Sequence, residues 1–381
     1  LGLRHNFGSS SSTPVEKLRD KKWLEENGHT PSIMDYARFN YVAQPEDNVG
    51  EKGLFPRIGD YDKWAIEWGY KWYPQATSAE AETPILNALT IERLKDKRLW
   101  FGRETNPDDP RSQNEDLGDN SMKASTYGIK NLQRIIPNLQ AWSKEPNENY
   151  ETLSTLYNEV VTQFNRYVGH VSKNVGGVME TPKTVEQAGA VYEIVSREQQ
   201  KEAMDFLNKQ VFTTPTWLLD QQIFAKTGNT GTAVVNRLQD AALGRILSAG
   251  TINKLLNAEA TLGTKTYTLN DMMTDLRRSI FTELPTRKPI DIYRRNLQKN
   301  MVERLLTFLK PATAPASLGG GITISFGPTI SRNSDALSYA RGTLRSLQTE
   351  IRTALPSYTD TATRYHLQDL LDRINDGLTA K

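Results

Sequence analysis

Four residues near the beginning of the sequence have side chains and spacings suited to metal-assisted chemistry: Gly2, His5, Met34 and Tyr36. Imidazole is a ligand of catalytic zinc, which takes three protein ligands and keeps one position open for water. A glycine just before such a ligand lets the chain turn sharply, because it accepts positive φ without steric cost. A methionine fills an irregular gap without competing as a hard ligand. A phenol donates a hydrogen bond to a developing oxyanion.

Each of these residues also has an ordinary structural interpretation. The pattern Gly-x-x-His occurs often by chance. Met34 would suit core packing, and Tyr36 would suit a buried aromatic ring whose hydroxyl is hydrogen-bonded. Residue types and spacing alone leave these alternatives open.

Together the two motifs resemble part of a known metal-binding signature. Leu1-Gly2-Leu3-Arg4-His5-Asn6-Phe7 resembles the end of the long metzincin pattern, H-E-x-x-H-x-x-G-x-x-H, and Ser32-Ile33-Met34-Asp35-Tyr36 resembles the Met-turn that follows it. The Ser-Ile-Met-x-Tyr form is similar to that of astacin-like and serralysin-like metzincins.

The resemblance implies a role for each of the four residues. Gly2 would be the motif glycine, and His5 would be the third zinc ligand. Met34 would form an apolar floor beneath three imidazoles. Tyr36 would approach the zinc or the reacting carbonyl oxygen and donate a hydrogen bond in the transition state.

The wider pattern is similar to a family of large bacterial zinc-dependent metalloproteases. In that family a metzincin-like catalytic domain precedes a long, mostly helical C-terminal region. The specific motifs lie in residues 1–75, and the similarity continues through Glu115–Asp119 and Tyr127–Leu132. It implies a zinc-dependent endopeptidase that hydrolyses peptide bonds in protein or peptide substrates. It also implies a secreted, periplasmic or cell-surface location in a bacterium.

On this resemblance the first two histidines and the catalytic glutamate would precede Leu1. One imidazole cannot hold catalytic zinc, because affinity comes from several ligands held together. We therefore expect zinc in the intact parent protein, no tightly bound zinc in this chain, and no peptidase activity from this chain alone. The missing N-terminal half of the parent would be a partner, and the apolar surface of residues 1–75 would be uncovered without it.

Composition limits the other function classes. The 381 residues carry 47 basic and 45 acidic side chains, interspersed, for a net charge of +2, which gives no electrostatic case for nucleic acid. No apolar run approaches the roughly 18 residues that a membrane span needs. The absence of cysteine from the sequence excludes disulfides and thiolate-metal sites.

The predicted fold class is mainly α. Helical periodicity dominates after a Gly-, Pro- and Asn-rich beginning, so we expect an incomplete metzincin-like C-terminal subdomain followed by a multi-helix accessory domain with a few short strands. The predicted boundaries are a catalytic-domain remnant at 1–75, a connector at 76–115, a helical accessory domain at 116–310, a linker or loop at 311–335 and C-terminal helices at 336–381.

Several individual elements can be predicted. Asp60 is placed to cap a helix that stops near Gly69, and Pro137 is placed to kink or divide another. Residues 176–182 suggest a strand or hairpin edge. Further helices are expected near 196–210, 232–248, 269–282, 290–309 and 335–376.

The remaining histidines favour structural roles. His29 lies in a predicted turn, and this position favours an exposed side chain over one that lines a cleft. His170 lies near a helix end, where it would complement the negative end of the helix dipole, and His366 is expected to face solvent.

An acidic cluster follows the connector. Calcium is one interpretation, because hard cations take carboxylate oxygens, but the spacing does not match an EF-hand loop. Capping of a helix by Asp116 or Asp119 is the simpler one. The cluster comprises Asp108, Asp109, Glu115, Asp116 and Asp119.

Two other enzyme signatures are missing from the sequence. Gly319-Gly320-Gly321 is not a phosphate loop, because no Lys-Ser or Lys-Thr follows it. No nucleophile elbow is present. The competing function is a non-catalytic helical protein-interaction module whose metal motif is vestigial.

Overall fold

The computed structural model describes residues 2–103, 106–310, 317–318, 322–323 and 329–379. The chain forms two compact units. The first comprises Leu1–Glu148 with Thr155–Val195, and the second comprises Asn149–Ser154 with Ser196–Lys381. The domain boundaries given above stay sequence-based predictions.

The first unit combines turns and short helices with three longer helices of 15 to 22 residues. A helix that begins at Glu151 contributes its residues from Thr155 onward to this unit. The α-helices described here are α1 (Lys21–Asn27), α2 (Glu51–Leu54), α3 (Asp60–Tyr70), α4 (Ala79–Arg93), α5 (Ser121–Ile135), α6 (Leu139–Trp142) and α7 (Glu151–Ser172).

A small antiparallel hairpin belongs to the first unit. Its strands are β1 (Val178–Glu180) and β2 (Tyr192–Ile194), with Val178 opposite Ile194. The strand predicted within residues 176–182 is therefore confirmed.

The second unit is a helical assembly in which α14 packs against α10, α15 and α16. A short antiparallel pair, β3 (Ser317–Leu318) and β4 (Ile322–Thr323), precedes the last two helices. The helices are α8 (Arg197–Leu207), α9 (Gln221–Thr227), α10 (Gly231–Ile246), α11 (Ala249–Leu262), α12 (Leu269–Ile280), α13 (Glu283–Thr286), α14 (Ile292–Leu309), α15 (Asp335–Ala354) and α16 (Thr361–Thr379).

The mainly α fold class is confirmed, and so are most of the expected helices. The helices expected near 196–210, 232–248, 269–282 and 290–309 correspond to α8, α10, α12 and α14. Helix α11 was missed, because it follows α10 closely and its buried stripe is limited to Ile252, Leu255 and Ala258. Most of the linker predicted at 311–335, including Gly319–Gly321, lies outside the described residues.

Local sequence explains how α5 begins and ends. The side chain of Asn120 accepts a hydrogen bond from the Lys123 amide and caps the helix. At the other end Pro137 cannot donate an amide hydrogen bond, and the chain passes through a 3₁₀ turn, Ile136–Asn138, before α6. The division predicted at Pro137 is confirmed, whereas the capping predicted for Asp116 or Asp119 is wrong.

A buried polar network joins three helices of the second unit. Arg294 on α14 donates to the Ile280 carbonyl at the end of α12, at 2.7 Å, and to Glu283 at 2.7 Å. Gln298 donates to the same carbonyl and lies 2.8 Å from the His366 ring on α16. These directional hydrogen bonds specify how α12, α14 and α16 meet.

None of the described helices is both long and apolar enough to cross a membrane.

Candidate active site

The segment Ser32–Tyr36, which we call the Met-turn segment, folds as a single capped turn. Ile33–Asp35 form one turn of 3₁₀ helix, and the Met34 amide donates to the Ser32 hydroxyl at 3.0 Å. The turn ends at Tyr36, whose backbone is left-handed, with φ 61° and ψ 24°. The left-handed region is uncommon for a bulky residue, so the surrounding contacts must hold it there.

Asp62 on α3 anchors this segment. Its carboxylate accepts hydrogen bonds from the Ser32 hydroxyl at 2.7 Å, the Ile33 amide at 2.9 Å and the Gly59 amide at 2.8 Å. Gly59, and not Asp60, is the cap residue of α3. The Asp62 carboxylate therefore caps the start of α3 and also holds the Met-turn segment by hydrogen bonds.

Asp35 is the last residue of the 3₁₀ turn and is fully buried. The Thr30 hydroxyl donates to its carboxylate at 2.7 Å. Burial raises the pKa of Asp35 to about 7, against the opposing effect of the hydroxyl hydrogen bond. Burial also raises the pKa of the neighbouring Asp116 well above its ordinary value.

The segment that carries His5 lies beside the Met-turn segment. The Asn6 amide donates to the Met34 carbonyl at 2.9 Å. The Asn6 side chain is fully buried; it donates to the Trp100 carbonyl and accepts from the Gly102 amide, each at 2.8 Å. Because every polar group of Asn6 has a main-chain partner, the backbone next to His5 is firmly placed.

Three aromatic rings meet at this point. The rings of His5 and Tyr36 are in edge contact, with centroids 4.6 Å apart. Phe7 lies 5.5 Å from His5 and 5.7 Å from Tyr36. Tyr36 is 45% exposed, so the alternative that it is a buried aromatic ring is wrong. An imidazole and a phenol that share one open site could bind a metal and hydrogen-bond a reacting group.

Of the four predicted site residues, His5 and Tyr36 are in ring contact, and Met34 lies next to the His5 segment through its carbonyl. Gly2 lies three residues before His5 in the sequence. Gly2 is exposed and has φ 72°, the left-handed conformation that a glycine turn before His5 would use. Met34 is half-buried beside the His5 segment. Their roles as turn, ligand, floor and hydrogen-bond donor stay predictions.

Zinc fits these residues only in part. His5 offers a nitrogen ligand of the type that zinc prefers, and Met34 offers no hard donor that would compete. Across the parts of the chain that the structure describes, no group of three His, Asp or Glu side chains is arranged to hold a metal ion. His5 can therefore be one zinc ligand, but among the described residues it is not part of a complete set of three.

The acidic cluster does not converge on one point. Asp119 accepts from the Val15 amide, and Asp109 accepts from the Glu180 amide and from Arg111. These partners are separate main-chain and side-chain groups, so the carboxylates connect loops of the first unit.

Glu115 belongs to the same loop and has two cationic partners. Arg38, two residues after Tyr36, lies 2.7 Å from the Glu115 carboxylate, and Arg166 on α7 contacts its other oxygen. This pairing could not be predicted from local sequence patterns, because the partners are far apart along the chain.

Two histidine predictions were wrong. His29 is fully buried, and burial lowers its pKa to about 4. The turn around it folds inward because the Pro31 carbonyl accepts from the Tyr61 amide of α3. His366 is also buried, because α16 directs it at Gln298 and not at solvent. His170 does lie in the last turn of α7, with Nε2 2.9 Å from the Asn114 carbonyl.

Apolar surface is uncovered within residues 1–75. Eight of the fifteen exposed large hydrophobic side chains among the described residues fall here: Ile33, Tyr36, Phe39, Phe55, Ile58, Trp68, Tyr70 and Trp72. A groove of about 620 Å³ also begins at Gly2–Arg4 and is walled by apolar side chains that include Trp64 and Trp100. Exposed apolar surface of this extent is typical of a binding or docking region.

Comparison with known proteins gives one match. A family model described as Met-zincin matches residues 1–288, which include the His5 segment, the Met-turn segment and the helices through α13. No curated protein and no solved structure matches the chain. The family match extends well beyond Leu132, where the motif similarity described above ends.

Proposed function

This chain belongs to the Met-zincin family, and from that premise we propose that it supplies part of the catalytic centre of a zinc-dependent endopeptidase. His5 is the zinc ligand, Met34 packs beneath it, and Tyr36 donates a hydrogen bond to the reacting carbonyl oxygen. The observation that carries the proposal is the edge contact of the His5 and Tyr36 rings at 4.6 Å. The hydrogen bond from the Asn6 amide to the Met34 carbonyl supports it.

The chemistry divides between the metal and the side chains. When bound, zinc lowers the pKa of water to about 7 and polarises the scissile carbonyl. His5 is oriented by Asn6, whose three hydrogen bonds place the backbone on which the imidazole stands. Tyr36 is half exposed, so its hydroxyl is accessible to a peptide, where it would stabilise the charge that develops on the carbonyl oxygen.

The remaining ligands are part of the proposal. Catalytic zinc takes three protein ligands, and His5 supplies one. The metzincin signature puts two further histidines and the glutamate base shortly before the motif glycine, here Gly2. We propose that the parent protein provides them, that zinc is a cofactor of that parent, and that this chain alone is inactive.

The substrate is a protein or peptide. The groove beside Gly2–Arg4 supports this, since its apolar walls suit the side chains of an extended peptide. A secreted, periplasmic or cell-surface location is proposed on the family resemblance alone. Fractionation of the producing bacterium tests it, and a protein confined to the cytosol would contradict it.

The experiment for this chain is a zinc titration followed through the histidine ring signals in ¹H–¹³C NMR. We expect weak binding that moves the signals of half-buried His5 first. The buried His29, His170 and His366 serve as internal controls whose signals stay in place. The variant His5→Gln should abolish the response. Tight stoichiometric zinc with peptide cleavage by this chain, or a response centred on another histidine, would contradict the proposal.

A further inference from the structure

The backbone on both sides of Ala37 is held in an uncommon conformation. Tyr36 has φ 61° and Arg38 has φ 57°, whereas Ala37 between them is buried. Left-handed conformations of residues with side chains are strained and persist only where the surroundings determine them. Something outside the segment Tyr36–Arg38 must therefore fix it.

The outside contact is Glu115. One oxygen of its carboxylate lies 2.7 Å from the Arg38 guanidinium, and the other contacts Arg166 on α7. The Glu115 side chain is only 7% exposed, and its own backbone is left-handed, with φ 64°. A carboxylate between two guanidinium groups has both oxygens satisfied, which makes the pairing directional as well as attractive.

The loop that carries Glu115 is itself attached to both sides of the candidate site. The Gln113 amide donates to the Phe7 carbonyl at 3.1 Å, two residues beyond His5. The Leu117 amide donates to the Tyr41 hydroxyl at 3.1 Å, beyond the strained segment. The loop thus links the backbone of the His5 segment with the side chain of Tyr41, five residues after Tyr36.

We propose that Glu115 is a positioning residue for Tyr36. Its ion pair with Arg38 holds Tyr36 and Arg38 in the left-handed conformations that set the Tyr36 ring against His5. The catalytic consequence rests on the proposed function, because it requires Tyr36 to act on a substrate. The positional consequence does not, since it concerns only the contact between two rings.

The alternative is an ordinary surface ion pair. The Arg38 side chain is 61% exposed, and exposed pairs contribute little to stability. A positioning role differs from this in one respect. Breaking the pair must change the surroundings of His5, even where the fold remains intact.

The test is the ¹H–¹³C NMR signal of the His5 ring, assigned with His5→Gln. Tyr36→Ala gives the position of that signal without the neighbouring tyrosine ring. We expect Glu115→Gln and Arg38→Gln to move the His5 signal toward that position, whereas Arg38→Lys, which keeps a cation, leaves it near the wild-type value. Thermal denaturation confirms that each variant is folded.

Glu46→Gln is the matched control, because Glu46 also pairs with two cations, Lys130 and Arg134, but at an exposed site. It should leave the His5 signal unchanged. If Glu115→Gln does not fold, the exposed Arg38 still decides the question. A wild-type His5 signal in Arg38→Gln, or in Tyr36→Ala, would overturn the proposal. The readout needs neither zinc nor turnover, so it can fail independently of the proposed peptidase function.

Discussion

The carboxylate of Asp62 accepts a hydrogen bond from the Ser32 hydroxyl at 2.7 Å, which joins α3 to the residue that begins the Met-turn segment. The same carboxylate accepts from the Gly59 amide at the start of α3. One buried acidic group thereby fixes both the helix terminus and the turn that carries Met34 and Tyr36.

Replacing Asp62 should destabilise the first unit. Asp62→Ala leaves three donors without their acceptor: the Ser32 hydroxyl and the amides of Ile33 and Gly59. An unsatisfied donor costs roughly 1–3 kcal/mol, so we expect a loss of at least about 3 kcal/mol. Urea denaturation measures it. Asp60→Ala in the same helix removes only exposed ion pairs with Lys63 and Arg98, for about 0–1 kcal/mol. Equal losses in the two variants would contradict the anchoring role.

Gly59 is predicted to be intolerant of a side chain. A Cβ at this position would overlap the Pro31 carbonyl, which accepts from the Tyr61 amide. Gly59→Ala should therefore lower the free energy of unfolding by about 1–3 kcal/mol. Gly69→Ala in α3 meets no neighbour within 4 Å and should raise it by about 0.5–1 kcal/mol. Thermal denaturation distinguishes the two, and a tolerated Gly59→Ala would show that the close approach is not maintained.

Asp35 should make the first unit less stable as the pH rises. Its folded pKa of about 7 lies above the unfolded value of 3.8, so the folded state binds the extra proton between these values. The stability contributed by the protonated carboxyl is present below pH 3.8 and is lost as the pH rises through 7. The free energy of unfolding of Asp35→Asn, measured by urea denaturation, should rise relative to wild type between pH 5 and pH 8. The exposed control Glu51→Gln should show no such rise. A constant difference at both pH values would contradict the shift.

His366 should make the second unit sensitive to acid. Burial lowers its pKa to about 3, whereas the unfolded value is 6.5. Neutral His366 contributes stability above pH 6.5 that is lost as the pH falls toward 3, because the unfolded chain then binds the proton more readily. We expect the stability of His366→Leu to fall less steeply than wild type between pH 6.5 and 4. The exposed neighbour variant Gln368→Ala should follow wild type, and parallel curves for all three would contradict the assignment.

The helices were predictable because their signals are local. Apolar stripes at helical spacing identified α8, α10, α12 and α14, and the ring of Pro137 ended α5 where expected. Capping was less predictable, because several polar residues near a terminus can compete for it. Asn120 caps α5, although Asp116 or Asp119 was expected to do so. At the start of α3, Asp60 was expected to be the cap, but Gly59 is the cap residue and its amide donates to the Asp62 carboxylate.

The candidate site was predictable only as far as its motifs reach. Gly2, His5, Met34 and Tyr36 were predicted from the resemblance of their motifs to the metzincin signature, and the family match covers them. The groups that hold them were not found, because Asn6, Asp62 and Glu115 act through partners distant in sequence. For the same reason His29 and His366 were expected at the surface, since one chain segment does not show what will pack over it.

The proposed zinc peptidase function is tested best in the longer parent polypeptide that we propose supplies the other zinc ligands. Bound zinc is measured by mass spectrometry, and cleavage of a quenched fluorescent peptide is followed with and without a chelator. We predict one zinc per catalytic centre and chelator-sensitive cleavage, both lost in His5→Gln while the thermal denaturation curve shows that the protein remains folded. Full zinc content and full cleavage in His5→Gln would contradict the account.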